Sequence, residues 1–254
     1  MLHFFEKGQG PVLLFLHGFC ESGEMWRHFA DSLSTQYRVL CPDLPGFGSS
    51  QITKPITCLE DIAEQVEEWM DALQIQNPIV MGHSLGGYVA LALLERMGNR
   101  IQAIGLLHST AYADDLEKKQ MRNRTLTFLK KHGPAKFVTS FVPQLFLEHR
   151  RIELADAMAH AIEDGKRSSL EGLFAYTIAM RDRVDRVAVL REFDGSKLLL
   201  AGTLDTSVKI ESSRAQKEAF THYIELEGVG HLGMIEEKEK TLAVVQGFIR
   251  EALR

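Results

Sequence analysis

The chain has 254 residues, 45% of them hydrophobic and 25% charged, with a formal net charge of −5. That length buries a substantial core in one large domain or two small ones. No basic excess marks a nucleic-acid or anionic-membrane partner, and the longest early apolar run, Val12 to Leu16, is far too short to span a bilayer. The N-terminus shows neither the basic segment nor the cleavage pattern of a signal peptide. Cys20, Cys41 and Cys58 form an odd set with no metal-ligand spacing. They read as reduced thiols in a cytoplasmic protein, and no zinc site is expected.

In chain order, His3 to Glu6 reads as a short edge strand and Val12 to Leu16 as a strand buried on both faces. Tyr37 to Cys41 is a second buried strand. Thr57-Cys58-Leu59-Glu60 reads as a capping box, opening a helix that carries Ile62, Val66, Trp69, Met70 and Leu73 on one face. Pro78 to Met81 is the next strand, Val89 to Met97 the helix after it, and Ile101 to Leu107 a further strand. This alternation argues for a parallel sheet with helices on both faces.

From Thr110 to Asp194 the periodicity is helical and no buried strand is evident. Helices are expected over Asp114–His132, Pro134–Phe146, Glu148–Glu163 and Ser168–Met180, with Gly133-Pro134 ending one and opening the next. A structureless loop of this length is implausible, so residues 110–194 are expected to form an inserted helical cap. Residues 1–109 and 195–254 then form the core, whose sheet pattern resumes at Lys197–Ala201 and Tyr223–Leu226 before a closing helix at Lys238–Leu253.

Chemistry concentrates in Gly82-His83-Ser84-Leu85-Gly86-Gly87, where an apolar strand turns directly into a helix. Gly-x-Ser-x-Gly alone occurs by chance in roughly one chain in ten of this length. Its setting is what a nucleophile elbow needs: a serine on a strained turn, glycines giving neighbouring backbone room, and a helix N-terminus favouring developing negative charge. A plain strand-to-helix turn would use the same glycines. A serine hydroxyl needs a base, and the base an orienting acid. His231 follows the last strand in Gly228-Val229-Gly230-His231, and strand carboxyl ends are where active sites collect in open α/β sheets. Asp205 lies four residues beyond the Lys197–Ala201 run. A turn or capping aspartate is its bland alternative, and Asp114 and Asp115 are rival acids. The order Ser84, Asp205, His231 suits this elbow type. His17-Gly18-Phe19 ends the Val12–Leu16 strand, so the Phe19 and Leu85 amides are candidate oxyanion donors and His17 a loop brace.

These motifs, with Pro42-Asp43-Leu44-Pro45-Gly46-Phe47-Gly48-Ser49-Ser50 and Gly202-Thr203-Leu204-Asp205, resemble the α/β-hydrolase fold family over nearly the whole chain. The resemblance implies a mostly parallel twisted sheet of about seven strands, flanked by helices, with an α-helical cap after the Ile101–Leu107 strand. It implies Ser84 as nucleophile, His231 as base, Asp205 as its orienter, and Phe19 and Leu85 as oxyanion donors. Dehalogenases and epoxide hydrolases of this fold use an aspartate nucleophile, so Ser84 points away from both. Epoxide hydrolases also tend to carry proline where this chain has Cys20. The expected activity is a serine carboxylesterase acting on small to medium acyl esters, without metal or organic cofactor, as a monomer or homodimer. Trp26, His83, His108, Phe141 and Phe146 are candidate pocket residues. Cap arginines Arg122, Arg124 and Arg181 would instead suit carbon–carbon bond hydrolysis or a menaquinone-pathway-type lyase on an acidic substrate. A weakly catalytic ligand sensor is the non-enzymatic alternative.

Overall fold

A computed structural model describes residues Met1–Arg254. Seven strands make one sheet: β1 Phe4–Lys7, β2 Val12–Leu16, β3 Arg38–Pro42, β4 Ile79–His83, β5 Ala103–Leu107, β6 Ser196–Gly202 and β7 His222–Leu226. Their order is β1-β3-β2-β4-β5-β6-β7. β1 runs antiparallel to β3, and every other pair is parallel. Burial follows position in the sheet. β4 and β5 are buried throughout, whereas the edge strands β1 and β7 are mostly half-exposed. Apolar runs therefore sit in the middle and mixed ones at the rims, as a parallel sheet covered on both faces requires.

The flanking helices are α1 Arg27–Leu33, α2 Leu59–Ala72, α3 Leu85–Met97, α8 Ile210–Gln216 and α10 Lys238–Ala252, with a short turn of helix α9 at Gly233–Glu236. α3 is apolar on nearly every side because it is covered by α2 as well as by the sheet. The cap of α2 falls one residue later than the sequence reading places it. Cys58 is the N-cap, and Asp61 takes the reciprocal role, accepting from the Cys58 amide at 3.2 Å and from the Thr57 amide and hydroxyl at 2.7 Å.

Between β5 and β6 the chain is helical: α4 Leu116–Phe141, α5 Ala155–Gly165, α6 Leu170–Asp182 and α7 Val187–Glu192. α4 is broken at Gly133, where φ of 75° and ψ of 174° leave the helical region just before Pro134. The second half stops at Phe141, short of Phe146, and a 3₁₀ turn at Val142–Leu145 follows with Pro143 in it. Proline has no amide to donate into an α-helical ladder, which accounts for the early stop. The helix expected from Glu148 begins only at Ala155, after a 3₁₀ turn at Glu148–Arg150. Arg150 there donates to the Glu236 carbonyl at 2.8 Å, tying this segment to the residues after β7. α7 rests on α3, helped by Arg186, which bonds Glu95 at 3.0 Å and also pairs with Glu60.

β2 has β3 on one side and β4 on the other, although β3 directly follows it in the chain. The connections diverge at the β2–β4 boundary, and a crevice at the carboxyl ends of such strands is where ligands bind in open α/β sheets. The loops after β2 and β4 are His17-Gly18-Phe19 and the Ser84 elbow.

Candidate active site

Ser84 follows β4 with φ of 49° and ψ of −113°, a conformation that costs a non-glycine residue about 1–3 kcal/mol. The turn is enforced from both sides. A Cβ on Gly82 would meet the Gly86 carbonyl oxygen at 2.3 Å, and one on Gly86 would meet the Leu16 carbonyl oxygen at 2.3 Å. The Ser84 amide bonds the Leu107 carbonyl at 3.0 Å, and the Ser109 hydroxyl donates to the Ser84 carbonyl at 2.7 Å. The strained residue is thus pinned by the adjacent strand β5 and the loop that follows it.

Three residues from three strand ends meet. His231 Nε2 lies 3.0 Å from Ser84 Oγ, and His231 Nδ1 lies 2.8 Å from Asp205 Oδ2. Asp205 Oδ1 accepts from the Ser207 and Val208 amides at 2.8 and 2.9 Å, which fixes the carboxylate plane. Burial works against a charge on Asp205, but His231 and the His108 side chain outweigh it and hold the carboxyl well below the usual carboxylate range. The acid is therefore ionised, its proton-accepting edge aimed at Nδ1, and that selects the tautomer with Nε2 free to take the serine proton. Asp114 is committed elsewhere: its buried carboxylate pairs with Arg183 at 2.6 Å and Arg122 at 3.1 Å.

The amide of Leu85 heads α3, where no intrahelical acceptor exists, and the Phe19 amide has no acceptor within the protein. Both are available to an oxyanion. His17 braces their loop: its Nε2 accepts from the Leu44 amide at 2.9 Å, so its Nδ1 donates to the Gly18 carbonyl at 2.8 Å. A second brace involves Glu21, which the sequence reading passed over. Glu21 Oε2 accepts from the Gly18 amide at 2.5 Å and meets His83 Nδ1 at 2.9 Å, while His83 Nε2 meets the His231 carbonyl at 3.1 Å. Burial disfavours charge on both partners, but their mutual attraction wins, raising the His83 pKa and lowering that of Glu21. One ion pair thereby couples the loop of Phe19 to the loop of His231.

The pocket candidates divide. Trp26 is wholly buried, its ring 5.0 Å from Phe15 and 5.5 Å from Phe29, so it belongs to the core beneath β2. Phe146 is also buried in the core. His83 and His108 are buried behind the Ser84 face, with their rings within 6.2 Å of the His231 ring. Phe141 is half-exposed, stacks on Phe137 at 5.2 Å and meets Phe19 edge-on at 5.8 Å, which builds an aromatic wall from α4 over the Phe19 loop. A cavity of about 640 Å³ has a mixed lining, Leu145, Leu154 and Met234 with Glu24, Arg27 and Arg150 among others, and none of Ser84, Asp205, His231 or the three rings of that wall borders it. No group of three or more His, Cys, Asp or Glu side chains is placed to hold a metal ion. No helix is long and apolar enough to cross a membrane.

Among curated proteins, the chain is 44% identical over 85 residues to the magnesium-chelatase 30 kDa subunit of Rhodobacter capsulatus. That match covers 33% of this chain and 30% of the relative, so the chain spans less than a third of that relative's length. It is 25% identical over 244 residues to 3-oxoadipate enol-lactonase 1 of Acinetobacter baylyi, covering 94% of this chain and 89% of that one. Among solved structures, it is similar to a thermophilic esterase from Thermogutta terrifontis, with a TM-score of 0.92 at 25% identity, over 99% of this chain and 93% of that one. The α/β-hydrolase family model matches residues 11–238. With that match over most of its length, and with the sheet order and the strand-end cluster described above, the chain belongs to the α/β-hydrolase fold family.

Proposed function

We propose that the protein is a serine hydrolase that cleaves carboxylic esters of small to medium acyl substrates through an acyl-enzyme. The observation that carries this reading is the unbroken relay from Ser84 Oγ to His231 at 3.0 Å and from His231 to Asp205 at 2.8 Å. His231 takes the Ser84 proton as the hydroxyl attacks the ester carbonyl, and the Phe19 and Leu85 amides receive the oxyanion. His231 then gives its proton to the leaving alcohol; water, losing a proton to His231, attacks the acyl-enzyme, and that proton returns to Ser84 Oγ as the carboxylic acid leaves. Asp205 orients the imidazole and stabilises its charged form. Residues 110–194 are read as the cap, with Phe141 closing over the Phe19 loop. The three cysteines are unpaired, which fits a reducing, cytoplasmic setting.

Serine at the nucleophile position disfavours dehalogenase chemistry, although a haloalkane dehalogenase of Agrobacterium fabrum is 27% identical over 267 residues. The cap arginines weigh against an acidic substrate. Arg122 is spent on Asp114, Arg181 bonds Asp182 and Asn123, and Arg124 is exposed without a partner.

The deciding experiment pairs a fluorophosphonate probe with nitrophenyl esters of increasing acyl length, using Ser84→Ala as control. Labelling and hydrolysis are expected in the wild type and absent in the variant. Unlabelled wild-type protein, or equal labelling of the variant, defeats the assignment. Labelling with flat, negligible ester turnover replaces esterase with a carbon–carbon hydrolase, a lyase or a slow ligand sensor.

A further inference from the structure

His108 is the first residue beyond β5 and has φ of 49°, outside the region that a β-carbon favours. Its amide bonds the Leu200 carbonyl at 2.8 Å, so the backbone is held in that conformation by the neighbouring strand β6. The side chain is wholly buried, yet neither ring nitrogen has a partner within ordinary hydrogen-bond distance. A buried polar group without a partner costs about 1–3 kcal/mol, and a leucine or phenylalanine would fill the space without that cost. Gly233, two residues past His231, makes room for this ring: a Cβ there would meet His108 Nε2 at 2.3 Å.

The nearest counter-charge explains the expense. His108 Nδ1 lies 3.6 Å from Asp205 Oδ2, the same oxygen that faces His231. Oδ1 is already occupied by two backbone amides, so Oδ2 is the edge with capacity left. The charged and titratable groups facing His108 are Asp205, His231 and His83, the two histidine rings each 6.2 Å away. We infer that His108 is a positioning residue for the triad carboxylate, a second imidazole whose Nδ1–H faces Asp205 Oδ2 opposite His231 and moderates that carboxylate's hold on the base. Burial keeps His108 in its neutral, less basic form, so it presents a single N–H dipole rather than a charge. An N–H dipole stabilises the Asp205 anion. A better-stabilised anion pulls less strongly on the proton at His231 Nδ1, so the carboxylate's charge is felt less at the other end of that ring.

The inference rests on the proposed relay, and the test separates the two. The second-order rate of fluorophosphonate labelling at Ser84 is measured against pH for wild type, His108→Phe and His108→Asn. With the dipole gone, His108→Phe is expected to move the acidic limb to higher pH by about half to one unit. His108→Asn, which returns an amide N–H near the position of Nδ1, is expected to bring the limb back. An acidic limb unmoved in His108→Phe overturns the inference, and so does a limb that His108→Asn fails to restore. The full chain labelled with ¹⁵N-histidine gives a reading that needs no variant, in case His108→Phe does not fold. The neutral His108 ring is expected to carry its proton on Nδ1 at neutral pH, and an Nε2–H tautomer overturns the inference. Absence of Ser84 labelling in the wild type defeats the serine-hydrolase reading instead, and the tautomer still decides the role of His108.

Discussion

Ser84 and Glu21 are both strand-end residues, but only one of them is visible before the chain folds. Ser84 stands in a local pattern of glycines, and its turn follows from clashes that those glycines avoid. Gly82→Ala would force a β-carbon to 2.3 Å from the Gly86 carbonyl oxygen, and a loss of about 2 kcal/mol or more in urea unfolding is expected. An unchanged midpoint would mean the elbow relaxes freely. Glu21 has no such pattern, because its partner His83 is 62 residues away. The pair also makes a signed pH prediction. The raised pKa of His83 contributes stability in full below about pH 6.5, lost as pH rises through the folded value; the lowered pKa of Glu21 contributes above about pH 4.3, lost as pH falls. A double-mutant cycle of Glu21→Gln and His83→Gln is therefore expected to show stronger coupling near pH 5.5 than near pH 9. Equal coupling at both would show the pair is not ionic. For Asp205→Asn, which presents the wrong tautomer to His231, ester turnover is expected to fall by about 10⁴-fold with little loss of folding.

At the scale of elements, the loops after the strands are held by side chains from other loops. Glu236 in α9 accepts from the Gly230 amide at 2.6 Å and from the Leu147 amide at 3.4 Å, joining the His231 loop to the segment between α4 and α5. Burial raises its pKa, by more than those two amides and the nearby Arg150 lower it. Removing the carboxylate by Glu236→Ala orphans both amides. It is expected to cost about 1–3 kcal/mol and to weaken turnover, whereas Glu236→Gln keeps an acceptor and costs less. Equal effects from the two variants, measured by urea unfolding and ester turnover, would remove this tie from the account. The helices between β5 and β6 were legible as helices from their periodicity, and their breaks were less so. Gly133-Pro134 announced one break; the 3₁₀ turn before α5 did not show, and it carries Arg150 to the Glu236 carbonyl, 86 residues distant.

Across the whole molecule, a buried ion pair closes the two ends of the segment between β5 and β6 on each other, and its arginine also reaches the core. Arg183 at the end of α6 pairs with Asp114 at 2.6 Å, both almost fully buried, and its guanidinium lies 4.0 Å over the Tyr88 ring on α3. Breaking such a pair from one side leaves an uncompensated charge. Asp114→Ala is expected to lose about 3–5 kcal/mol in urea unfolding while the pH profile of turnover stays in place. A shifted profile would reopen Asp114 as a partner of His231. Sequence alone left Asp114 open as a rival acid, because both aspartates follow apolar strands. The fold separates them by giving one of them to arginines.

The sequence by itself determined the seven strands, the helices α2, α3 and α10, and a glycine-flanked serine at a strand end, because each is written in local chemistry: apolar runs, capping residues, glycine spacing. The short helices α1, α7 and α8 carry too few turns to show a period and were not legible. Tertiary structure alone decided what surrounds that serine. Trp26, which follows the Phe19 loop in the chain, turns into the core because Phe15 and Phe29 offer it apolar contact there. His83 and His108 lie behind the relay, facing Glu21 and Asp205. Those pairings depend on loops from distant strands being brought to one end of a sheet, and local sequence patterns carry no record of the distances that result.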